Sequence, residues 1–157
     1  TYGPPFADQI VHAGLDGFSK ILFSVGAGSM IGGLLSASGK KVPRQSVPFY
    51  SSLLCGLSLL IVSQTSELYL ALLLYAAIGF TAIISIVNFN TIIQLETSHT
   101  YLGRVMSLYG LVFLGATPFG SLIVSTTIEY SGTANGLLAI GLLDIICILL
   151  IKLFYWK

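Results

Sequence analysis

The stretch LYLALLLYAAIGFTAIISIVNFNTIIQL, Leu68–Leu95, holds no charged residue, and its reading decides the class of this chain. A helix rises about 1.5 Å per residue, so about 20 apolar residues cross roughly 30 Å of hydrocarbon, and this run is longer than that. Its side chains do not alternate apolar and polar as barrel strands would require. In lipid its peptide groups must therefore bond one another within a helix. Four further runs share this character, Phe18–Ala37 and Val47–Ser63 before it, Val105–Ile128 and Leu137–Trp156 after it. The expected fold is all-α, a polytopic transmembrane helical bundle with spans at about 18–37, 47–63, 68–95, 105–128 and 137–156. Short connections favour antiparallel neighbours. The surplus length of the third run predicts that its polar end, Asn88 to Glu96, tilts or projects toward the cytoplasmic surface.

Composition agrees with a bilayer as solvent. The chain is 55% hydrophobic and 8% charged, with a mean hydropathy of +0.91, which excludes a water-soluble domain. Cys55 and Cys147 stand inside apolar runs without metal or redox spacing and read as small buried hydrophobes. No His, Cys, Asp or Glu spacing resembles a metal site, and no nucleophilic triad, phosphate loop or nucleotide fingerprint occurs. The expectation is therefore no metal, no cofactor, no nucleic acid and no enzyme activity. The opening Thr1-Tyr2-Gly3-Pro4-Pro5, with no initiating Met and no basic leader, reads as the start of a piece of a longer polypeptide.

Charge placement supplies an orientation. Lys40, Lys41 and Arg44 fall in the first connection, Arg104 in the third, and Lys152 and Lys157 at the C-terminal end. The connections at Gln64–Glu67 and Tyr130–Ala134 have no Lys or Arg. Under the positive-inside rule the N-terminus of the chain lies outside and its C-terminus in the cytoplasm. Lys20 breaks the pattern, at the outer mouth of the first span, where its stem can snorkel to the interface. Tyr50, Tyr69, Tyr101, Tyr130, Tyr155 and Trp156 lie near span ends, where interfacial belts form.

Polar residues inside the spans are the functional candidates, because lipid penalises them unless they face protein or water. On the first span Ser24, Gly28, Gly32 and Ser36 make a small-residue stripe that reads first as a packing face. On the third, Asn90 and Gln94 share a face and Asn88 points away, which fits either a structural amide clasp or part of a substrate or gating pathway. On the fourth, Ser107, Gly110, Thr117, Ser121 and Ser125 share one arc. Pro118, flanked by Gly115 and Gly120, removes a backbone donor and predicts a kink. This arc suits a tightly packed helix pair or a cavity wall. Asp144 is the carboxylate near mid-span on the fifth and a candidate for ion coupling, with a paired structural acid as the alternative.

The order Asn90-x-x-x-Gln94, Gly103-Arg104-Val105-Met106-Ser107-Leu108-Tyr109, Gly115-x-x-Pro118-x-Gly120-Ser121 resembles the end of the tenth and the whole eleventh helix of major facilitator superfamily exporters. The similarity is greatest to the branch of the enterobactin exporter and the macrolide efflux proteins. A second resemblance, to that superfamily's loop signature, lies over Gly32, Ser36, Ala37, Gly39, Lys40 and Lys41. Here Ser36 replaces the acid and Ala37 the first basic residue, so the family's salt-bridge latch lacks its acid, while Lys40 and Lys41 remain to bind lipid phosphates or a neighbouring domain.

The resemblance covers essentially the whole chain and implies that the five spans are helices eight through twelve of the C-terminal six-helix half. The seventh helix and the N-terminal half would be missing partners from the same polypeptide. By the family's geometry the first, third and fourth spans approach the transport cavity and the second and fifth sit outside it, which argues against Asp144 in coupling. The function implied is export of a small amphipathic substrate, of drug or siderophore class, from the bacterial inner membrane by proton antiport and alternating access. Asn90, Gln94, Thr117 and Ser121 are the expected cavity or gate residues, Pro118 the kink, and Gly32, Gly39, Lys40, Lys41 and Arg104 the cytoplasmic-loop set. The rival reading is a non-transporting membrane scaffold or assembly subunit whose small-residue faces bind partner helices.

Overall fold

The computed structural model describes residues 14–38, 46–65 and 67–155. These form α1 (Gly14–Ser38), α2 (Ser46–Gln64), α3 (Leu68–Glu96) and a last helical stretch, Leu102–Tyr155. That stretch is interrupted at Gly132, whose φ of 81° and ψ of 161° leave the helical region. It divides into two spans, α4 (Leu102–Tyr130) and α5 (Asn135–Leu153). Gly132 suits the break because a side chain disfavours positive φ. An added methyl at Gly136 would stand 2.6 Å from Ile128 Cγ1. In an unbroken helix residues this far apart are separated by about 12 Å, so the chain doubles back sharply here. All five spans are long and apolar enough to cross a membrane.

α3 is the hub of the bundle. It packs against α1 on one side and α2 on another, and α2 in turn carries the last stretch of the chain. The α5 limb makes that contact through Gly141, which meets Gly56, Leu59 and Leu60 of α2. α4 is peripheral, with every residue from 111 to 123 exposed.

Lipid tails are as apolar as leucine, so these helices do not associate by a hydrophobic driving force. Close backbone packing and interhelical hydrogen bonds hold them together instead. The α1–α3 seam follows this rule. Gly28 presses on the backbone of Ala76, and Gly79 on that of Val25. At Gly32 a methyl would stand 2.6 Å from Ile83 Cγ2 and 2.7 Å from the Phe80 carbonyl oxygen. The Ser29 hydroxyl donates across the same seam to the Gly79 carbonyl at 3.2 Å. Half of the small-residue stripe, Gly28 and Gly32, is thus a packing face, whereas Ser24 bonds the Lys20 carbonyl of its own helix.

The α2–α3 seam is held differently. Ser51 and Ser85 share a hydroxyl hydrogen bond of 2.7 Å, and Ser85 also reaches the carbonyl of the fully buried Pro48. At the other end of the same seam Val62, Ala71 and Leu74 form a small core, with Tyr75, Ile78 and Leu137 packed around it.

Candidate functional site

The amides on α3 come first, because their cost in lipid demands partners. Asn88 donates to the Ile84 carbonyl at 2.8 Å, within its own helix. Gln94 donates to the side-chain oxygen of Asn90, one turn earlier on the same face. The amide pair is therefore internal to α3 and ties no second helix among the described residues. Asn90 is half-buried and Gln94 exposed, so the pair is open to a further neighbour.

On α4 each hydroxyl of the polar arc bonds the helix that carries it. Ser107 donates to the Gly103 carbonyl at 2.8 Å, Thr117 to Phe113 at 3.0 Å, Ser121 to Pro118 at 2.8 Å and Ser125 to Leu122 at 3.1 Å. Such back-bonding removes the hydroxyl proton from competition and leaves an oxygen that only accepts. Ser121 takes the Pro118 carbonyl in particular, beside the position where proline removes a donor. The backbone keeps helical dihedrals through Pro118, and the interruption within this stretch falls at Gly132. Tyr109 and Phe113 stack at 5.9 Å between ring centres and stiffen the turn before Thr117.

The two pairs, Asn90 with Gln94 and Thr117 with Ser121, stand on different helices and share no hydrogen bond among the described residues. Between α3 and α4 lies only a short connection; at its start the Thr97 amide caps back to Ile93 at 3.1 Å, and at its end the Val105 amide, in the first turn of α4, donates to the Tyr101 carbonyl at 3.0 Å. Arg104 sits in the first turn of α4, exposed. Gly32 belongs to α1 and to its packing seam, inside the helix and clear of the connection that follows. Gly39, Lys40, Lys41 and Arg44 lie outside the described residues.

Residues 4–156 match the profile of a transmembrane secretion effector family, of major facilitator type. The chain belongs to that family. No curated protein and no solved structure matches it. Membership of a transporter family gives the five-helix bundle its general role, movement of a solute across a membrane in which the chain is multi-pass.

Asp144 stands apart from both pairs. It projects from α5 toward α2 at Gly56, where a methyl would come within 2.9 Å of its Oδ2 atom. That oxygen is buried and has no hydrogen-bond partner among the described residues. Sequence reasoning marked the residue by its depth in the span. It missed Gly56, whose lack of a side chain makes the room, and the Ser51–Ser85 clasp between α2 and α3. A lone serine in an apolar run announces a hydrogen bond but not which helix supplies the partner.

Proposed function

We propose that this chain forms part of an exporter of small amphipathic molecules, of drug or siderophore class, in the branch that holds the enterobactin exporter and the macrolide efflux proteins. It corresponds to helices eight through twelve, and its partners are the seventh helix and N-terminal half of the same polypeptide and the lipid bilayer. The location is the bacterial inner membrane, with the N-terminal side of the chain outside and the C-terminal side in the cytoplasm. Transport proceeds by alternating access of two halves and is driven by proton antiport.

The observation that carries this reading is the polar arc of α4. Its hydroxyls are satisfied by their own helix, on a span whose residues 111 to 123 are all exposed. A surface of that kind accepts a hydrogen bond without first losing one, and between the hydroxyls it offers Leu114 and Phe113. It suits a molecule with a large apolar body and a few donors better than a strongly hydrated ion. Asn90 and Gln94 form the second wall in this scheme, opening their mutual bond to substrate at one stage of the cycle.

The test uses the full-length polypeptide in proteoliposomes under an imposed proton gradient, with a radiolabelled macrolide and a radiolabelled siderophore as probes. Gradient-dependent accumulation of either supports antiport. Equal accumulation with and without the gradient overturns it, and absence of transport of both favours the scaffold.

A further inference from the structure

A groove of about 430 Å³ runs between α2, α3 and α5, away from the polar arc of α4. Its walls are aromatic and aliphatic, with Phe49, Tyr50, Phe89 and Ile148 among them, and its charged groups among the described residues are Asp144 and Lys152. Lys152 has its ammonium 4.7 Å above the Phe49 ring. Asp144 lies two helical turns away, about 12 Å along the α5 axis. Its buried Oδ2 atom has no hydrogen-bond partner among the described residues, and the notch at Gly56 holds it against α2.

We infer that this groove is a lateral binding site for a lipophilic monoamine, whose ammonium bonds the Asp144 carboxylate while its apolar body lies along Phe49, Phe89 and Ile148. The volume is that of a small-molecule site, with apolar walls and one polar group to fix orientation. A carboxylate in such a wall is costly unless paired, and an ammonium supplies both opposite charge and N–H donors. The groove lies between helices, so a ligand dissolved in the bilayer reaches it sideways, independently of the direction or energy source of transport.

Equilibrium binding decides the matter without any transport step, so its failure is separate from failure of the export reading. Octylamine and octanol are titrated into the full-length protein in lipid nanodiscs, with empty nanodiscs subtracted. Octylamine should saturate one site per chain, and both Asp144→Asn on the α5 wall and Ser52→Trp on the α2 wall should weaken it at least tenfold. Octanol binding should be unchanged by Asp144→Asn. The two variants alter different helices, so misfolding of one, read by circular dichroism, leaves the other to decide. Unchanged octylamine affinity in either folded variant, or non-saturable binding to the wild type, overturns the site.

Discussion

At the residue scale, glycine in this chain is read by what a methyl would meet. Gly28 faces the Ala76 backbone and has no room, whereas Gly33 faces open space. Gly28→Ala should destabilise the bundle by about 1–3 kcal/mol, the usual cost of overpacking. Gly33→Ala should be neutral or slightly stabilising, because alanine is the better helix former. Thermal unfolding of the two variants in the same detergent checks the pair, and equal midpoints would remove the α1–α3 seam as the source of stability. Ser29→Ala loses one interhelical hydrogen bond and should cost about 0.6 kcal/mol, the average for such bonds in a membrane.

At the element scale, the Asn90–Gln94 pair of α3 and the hydroxyl arc of α4 bond within their own helices, so on the proposed reading their loss should affect transport more than stability. Asn90→Ala and Gln94→Ala break a pair that joins no second helix, so each should leave the unfolding midpoint nearly unchanged while lowering the initial transport rate about tenfold. A matching fall in both quantities would make the pair structural. α4 carries Pro118 without losing helical dihedrals, yet one carbonyl near Leu114 lacks its usual donor. Pro118→Ala restores that donor. Hydrogen exchange across 114–121 should slow, and transport should fall if bending of α4 is part of the cycle; faster exchange would exclude a destabilising role for the proline.

At the scale of the whole molecule, orientation rests on the alternation of basic residues between connections. Glu67 and His99 are both exposed, in successive connections. Glu67→Cys should react with a charged, impermeant maleimide only from outside the cell, and His99→Cys only in inverted vesicles. Labelling with the reverse sidedness overturns the assignment of the inner face.

Sequence alone determined that this chain is a five-span helical bundle. Hydrocarbon leaves a long apolar segment no other way to satisfy its peptide groups, and that constraint needs no knowledge of neighbours. The family was legible too, in the residues from Asn90 to Ser121. Which helices touch was not legible, because the small residues that permit close approach are spread through all five spans and each permits several partners. Tertiary structure chose among them: Gly28 and Gly32 for α3, Gly56 and Gly141 for each other's helices, Ser51 for Ser85. It also decided the surroundings of Asp144. Depth in a span follows from counting residues, but a partner or its absence depends on what the facing helix presents, and opposite this carboxylate α2 presents a glycine.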